Sequence, residues 1–245
     1  MSGMTSGFTF NRGMLGCRRF LPSRVTLRPP VMPDLSQLHV VDHPLIQHKL
    51  TRMRETNCPT GEFRRLLTEI SLLMGYEVTR DLPLVERPIE TPLKAYDAPT
   101  LAEKTLAIVP ILRAGLGMVD GLVELMPDAV IAHIGLARDE DTKEPYEYLV
   151  KLPPKDIKRC IVCDPMLATG NSAVHALNVL RDQGGFEGDK VRLMTLVAAP
   201  EGVRRVNEAR PDVEVFTASL DEKLNQDAYI VPGLGDAGDR IFGTL

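Results

Sequence analysis

The sequence predicts an α/β protein: a central, mostly parallel sheet with helices on both sides. Three observations point that way. First, short and nearly unbroken apolar runs at 105–112, 130–136, 157–163, 191–197 and 213–217 have the length and composition of strands buried on both faces. Second, segments of helical spacing at 116–125, 172–181 and 202–209 lie between these runs, where parallel strands need crossover connections. Third, 245 residues with 44% hydrophobic and 25% charged side chains can fill one domain's core, and no apolar run approaches the roughly 18 residues of a membrane span.

In chain order, residues 1–31 carry Arg12, Arg18, Arg19, Arg24 and Arg28 without a single acid, mixed with Gly, Ser and Pro. This reads as a disordered arm or an organelle-targeting segment, or as sequence upstream of a second start at Met32. Residues 32–245 are expected to form a single domain. Between 44 and 75, apolar residues at helical spacing are interrupted near 58–61, which predicts two helices. Residues 83–99 are broken by prolines and read as a peripheral strand pair or loop.

Outside the arm, 24 basic residues face 33 acidic ones, a net charge of −9 that disfavours duplex nucleic acid as the main partner. The cysteines Cys17, Cys58, Cys160 and Cys163 form no spaced framework. Cys160 and Cys163 share a strand at an odd offset, so their sulfurs point to opposite faces and cannot pair. Buried thiols and a cytoplasmic setting follow as expectations.

Four loops carry the chemistry. Asp164-Pro165-Met166-Leu167-Ala168-Thr169-Gly170-Asn171-Ser172 runs from the carboxyl end of a central strand to a helix start, where open α/β sheets bind ligands. Amides around Ala168 to Ser172, with the Thr169 and Ser172 hydroxyls and the helix dipole, can surround a phosphate monoester, leaving Asp164 for ribose hydroxyls or a metal-bound water. No Walker lysine is present, which disfavours ATP hydrolysis. The competing reading is local: Asp164 and Ser172 as caps of the turn and helix.

The second loop, Arg113-Ala114-Gly115-Leu116-Gly117, again follows a strand. Its amides suit an anion and Arg113 can add a forked contact, although an arginine at a strand end is commonly just solvated. The third, from Arg138 through Glu144, is a polar excursion that either covers the site or forms a solvated charged hairpin. The fourth, Tyr229 to Arg240, contains a literal GxGxxG from Gly233 to Gly238. Too few residues follow it for a dinucleotide-binding unit. Its main-chain groups suit a flat heterocycle instead, and a plain C-terminal turn is the alternative.

With these four segments, and with Leu196-Val-Ala-Ala-Pro-Glu-Gly202, the chain from about His39 onward resembles the uracil phosphoribosyltransferases of the type I phosphoribosyltransferase fold. The resemblance implies a central sheet with a small hood from the C-terminal region and peripheral strands. It implies that Asp164 to Ser172 bind the ribose 5-phosphate part of phosphoribosyl pyrophosphate (PRPP), that Arg113 and Arg138 contact its pyrophosphate, and that Ile230 and Gly235, Asp236 and Ala237 form the uracil pocket. Asp236 would also approach the donor, so Arg113, Arg138, Asp164 and Asp236 are the expected catalytic set. Mg²⁺ would arrive with the donor, with no direct protein ligand, and GTP activation and a homo-oligomer, dimer or tetramer, are further implications.

Two departures stand out. Many relatives in the wider fold have two adjacent acids where this chain has Asp164-Pro165, a replacement that points to the uracil branch. Asn171 stands where glycine is commoner, and since Asn tolerates left-handed backbone, the loop is expected to keep its shape. The rivals are transfer to hypoxanthine or guanine, and an RNA-binding pyrimidine regulator of the same fold, which would need a basic face.

Overall fold

The structure, a computed structural model, describes residues 36–102, 105–138 and 145–244. The arm at 1–31 and the excursion after Arg138 therefore lie outside the described residues, as does the Arg138 side chain.

After a short strand β1 (Leu38–Val40) come helices α1 (Pro44–Arg54) and α2 (Thr60–Val78). Pro44 opens α1 with a preset φ, and the ring of His43 accepts the Leu45 N–H (3.2 Å) at its cap. In α2, Phe63, Leu66, Leu67, Ile70, Met74 and Val78 recur every three or four residues and are buried, one continuous stripe against the sheet. The proline-broken segment is a hairpin, β2 (Leu84–Glu90) and β3 (Ala95–Leu101), which pairs with itself and packs little on other elements.

The remaining strands are β4 (Leu106–Leu112), β5 (Val130–Ile131), β6 (His133–Arg138), β7 (Pro145–Lys151), β8 (Arg159–Cys163), β9 (Met166–Leu167), β10 (Val191–Ala198), β11 (Glu214–Leu220), β12 (Lys223–Leu224) and β13 (Ile230–Val231). The helices among them are α3 (Val119–Leu125), α4 (Asn171–Val179), α5 (Pro200–Ala209) and α6 (Ala237–Phe242). The main sheet runs β1-β11-β10-β8-β4-β6-β7, parallel except for the final β6–β7 pair.

The expected strand 130–136 is two pieces, β5 and β6. The break at Ala132 falls one position before the residue opposite Pro110 of β4, whose nitrogen has no proton to give the ladder there. The expected helix 116–125 begins as a 3₁₀ turn, Ala114–Met118, before α3. The expected helix 172–181 loosens into a π turn, Leu180–Gly184. Among the described residues no helix is long and apolar enough to cross a membrane.

Strands β4, β8 and β10 are buried on both faces, and their side chains alternate between two cores. Ile161 and Cys163 face the core built with α2 and α3; Cys160 and Val162 face the one built with α4 and α5. The two thiols thus lie on opposite sides of β8, as the odd offset requires. Burial pushes both up, Cys160 to about 12 and Cys163 further still.

Candidate active site

The order β10-β8-β4-β6 contains the position where the chain reverses its direction of winding. From β4 it proceeds to β6 on one side, and from β8 to β10 on the other. The intervening α3 and α4 cover opposite faces, so a crevice opens beyond the carboxyl ends of β4 and β8. Arg113 and Asp164 follow these two neighbouring strands directly.

The loop after β8 is pinned before it can wrap a ligand. The buried Pro165 carbonyl accepts N–H groups of Leu196 and Val197 (both 3.1 Å), and Ala199 N–H donates to Leu167 O (2.9 Å). Met166 and Leu167 form β9 alongside β10. Gly170, at φ 81°, then turns the chain into α4 in a left-handed conformation that favours glycine. The first bond of the helical ladder runs from Val174 N–H to Gly170 O (2.9 Å), so the amides of Asn171, Ser172 and Ala173 precede it and face outward at the helix start.

Behind this loop, Gly202 of α5 allows the closest approach. A β-carbon there would lie 2.4 Å from Ala168 O and 2.7 Å from Leu167 O. This is the physical reason for a glycine in the Pro200-Glu201-Gly202 run. Asn171 is the first residue of α4 and does not have a positive φ. The left-handed demand falls on Gly170 instead, which is why a side chain is accommodated at 171.

The facing wall comes from the C-terminal residues. Arg54 donates through both terminal nitrogens to Asp221 (2.6 and 2.7 Å) and also to Gly233 O (2.7 Å), while Gly233 N–H donates to Asp221 (2.9 Å). Burial pushes the Asp221 carboxyl up, but hydrogen bonds from Arg54 and Ser219, the Arg54 charge and the Gly233 N–H outweigh it and leave it below the usual carboxylate range. Arg240 lies over the Phe63 ring (4.6 Å) and donates to Leu234 O (2.8 Å) and Glu55 O (2.7 Å). Asp236 caps α6, its Oδ1 accepting the Asp239 N–H (3.0 Å).

Between the two walls lies a cleft of about 310 Å³. Of the residues singled out in the sequence, Asp164, Met166, Leu167, Ala168, Thr169, Gly170 and Ser172 line it from the first side, and Ile230 and Asp236 from the second. Pro165, Asn171, Gly235 and Ala237 adjoin these residues in the chain without lining the cleft. Arg113 is exposed beside it, its guanidinium carbon 5.7 Å from the centre of the Phe242 ring. Arg138 ends β6, with Pro145 opposite it across the antiparallel pair.

Two features of the site were not anticipated from the sequence. Asp227 and Ala228 line the cleft next to Tyr229, where the fourth loop begins, and the Arg54–Asp221 pair anchors the glycine loop. Asn and Asp near a hairpin tip are a turn signal for the first. The second has no local signal, because the partners are far apart in the chain.

Compared with known proteins, residues 40–244 match the family profile described as uracil phosphoribosyltransferase. The chain is 63% identical over 212 residues to a uracil phosphoribosyltransferase of Rhodospirillum centenum, covering 86% of this chain and 98% of that one. It is 55% identical over 212 residues to one from Enterococcus faecalis, covering 86% and 100%. Among solved structures, the AQ2163 protein from Aquifex aeolicus is similar with a TM-score of 0.78 at 35% identity, covering 84% of this chain and 97% of that chain.

Proposed function

The chain belongs to the uracil phosphoribosyltransferase family and has the type I phosphoribosyltransferase fold, and from that premise we propose that it transfers the 5-phosphoribosyl group of PRPP to uracil, giving UMP and pyrophosphate. The observation that carries this reading is the cleft shared by the phosphate-gripping loop and the main-chain wall at Ile230 and Asp236. A phosphorylated ribose suits one side and a flat base the other.

In the reaction the bond from C1′ to the pyrophosphate oxygen breaks, the bond from uracil N1 to C1′ forms, and the N1 proton leaves to solvent or to the departing pyrophosphate. The amides and hydroxyls from Ala168 to Ser172 hold the 5′-phosphate, and Asp164 holds the ribose hydroxyls. Arg113 and Arg138 stabilise charge gathering on the pyrophosphate. The main chain at Ile230 and from Gly235 to Ala237 selects uracil, and Asp236 also approaches the donor.

Of the three carboxylates that line the cleft, Asp164, Asp227 and Asp236, the two expected beside the donor, Asp164 and Asp236, suit a Mg²⁺ delivered on the donor's oxygens rather than a cage made by protein alone. Bound there, Mg²⁺ would neutralise part of the pyrophosphate charge. Assembly into a homo-oligomer is supported by the β2–β3 hairpin, which exposes Leu84, Val85, Leu93, Tyr96 and Leu101. GTP activation and a cytoplasmic location are part of the same proposal, resting on the family resemblance and, for location, on the buried reduced thiols.

The test is to incubate the protein with PRPP and Mg²⁺, offer each nucleobase in turn, and follow pyrophosphate. Release with uracil alone is expected. No release with any base would overturn the enzyme, and release with a purine but not uracil would overturn the substrate. Light scattering and a GTP titration of the same sample test the oligomer and the activator.

A further inference from the structure

We propose that Asn225 is a positioning residue for the uracil side of the cleft: its Oδ1 accepts the N–H groups of both Asp227 (3.0 Å) and Tyr229 (2.8 Å), holding the turn that presents Asp227, Ala228 and Tyr229 to the site. This rests on the two-substrate reading of the cleft given above.

Strands β12 and β13 form a hairpin, with Leu224 opposite Ile230, so residues 225–229 are its loop. The loop is closed by Asn225 N–H to Tyr229 O (2.8 Å) and Ala228 N–H to Asn225 O (3.1 Å). Ala228 sits at φ 63°, the only non-glycine residue with positive φ among the described residues. An L-alanine seldom adopts that conformation unless its surroundings enforce it. Packing does not enforce it here, because residues 225–229 are all exposed. The enforcing contacts are the Asn225 bonds on either side of Ala228, since a short side-chain carbonyl reaches the second and fourth following amides.

What the turn fixes is passed on to the site. Tyr229 is joined to Ile230, which is buried and lines the cleft, so a turn free to open would move the wall against which the base lies. The base of the hairpin is held independently: Leu224 N–H donates to Glu201 Oε1 (3.2 Å), and Glu201 precedes the Gly202 that backs the phosphate loop. Losing the Asn225 carbonyl should therefore loosen the acceptor wall while leaving the donor loop in place.

The experiment uses the full chain and three variants: Asn225→Ala, Asn225→Asp, which keeps an acceptor oxygen, and Asn225→Ala combined with Ala228→Gly, which removes the penalty on positive φ. Steady-state kinetics are run against uracil and PRPP separately, and hydrogen exchange is followed at the Asp227 and Tyr229 amides. Asn225→Ala is expected to raise KM for uracil about tenfold and to speed exchange at both amides, with KM for PRPP and kcat within about twofold of the parent. Asn225→Asp should stay near the parent, and the double variant should recover part of the loss. An unchanged KM for uracil, equal loss in both KM values, or an Asp variant as impaired as the Ala variant would overturn the positioning role. If the parent itself turns over no base, the function is wrong; exchange that does not quicken in Asn225→Ala then overturns the Asn225 proposal on its own terms.

Discussion

Arg54 and Asp221, 167 residues apart, meet through two guanidinium–carboxylate hydrogen bonds, and the same carboxylate and the same guanidinium also hold the two backbone groups of Gly233. The end of α1, the end of β11 and the glycine loop are thereby tied at one point. The Asp221 side chain is 2% exposed, so removing its partner strands a charge away from water. Arg54→Met is expected to lower stability by about 3 kcal/mol, near the low end for a broken buried pair because Arg54 keeps 22% of its own exposure. Urea unfolding measures it, and a loss below about 0.5 kcal/mol would show that the pair is replaced by water.

Gly202 offers a sharper test, because what its missing β-carbon avoids is backbone. Gly202→Ala would force Ala168 O or α5 to move, since 2.4 Å is well inside van der Waals contact. We expect KM for PRPP to rise tenfold or more, with a stability loss of about 1–3 kcal/mol from overpacking. Gly61 is the control. It lies in α2, and a β-carbon added there would meet nothing within 4 Å, so Gly61→Ala should stabilise by about 0.5–1 kcal/mol and leave the kinetics unchanged.

How much of this was legible beforehand follows the range of the interactions. The buried strands could be read because β4, β8 and β10 are apolar on both faces, and the phosphate loop because its glycine, hydroxyls and strand-to-helix position are consecutive in sequence. The opposite faces of Cys160 and Cys163 needed only the two-residue period of a strand. The Arg54–Asp221 anchor and the contact of Gly202 with Ala168 O were not legible, since each joins segments that only the finished topology brings together. The tolerance of Asn for left-handed backbone is not called upon at 171, for a related reason: which residue of a turn takes positive φ depends on where the helix starts, and α4 starts at Asn171 itself, leaving Gly170 in the left-handed position.

Asp81 should set part of the acid limit. Hydrogen bonding from Arg192 is the largest influence on its carboxyl, burial opposes it and Arg159 adds to it, and the net effect draws it down to about 2. A carboxyl depressed in the folded state contributes stability that is fully present above its unfolded value and fades as pH falls through the folded one. The contribution should therefore be whole above about pH 4 and disappear towards about pH 2. Comparing urea midpoints of the parent and Asp81→Asn across that range checks the sign: the gap should shrink on acidification. A gap that widens would mean that Asp81 is not the group titrating.

Arg113 is the residue whose observed place least resembles its expected task. It follows β4 directly, beside Asp164 at the end of β8, yet its guanidinium rests over Phe242 rather than in the cleft lining. A contact of this kind at an exposed site is worth no more than about 1 kcal/mol, so a pyrophosphate group, with two negative charges within reach, would readily compete for the side chain. Arg113→Ala should then reduce kcat/KM for PRPP by about 100-fold, the loss expected when one preorganised charge on the leaving group is removed. Its melting temperature should change by no more than a few degrees, because the exposed side chain contributes little to the core. Arg113→Lys should recover only part of the rate, keeping the charge but not the forked geometry. Normal kinetics in Arg113→Ala would remove Arg113 from the donor site and leave its ring contact as its whole role.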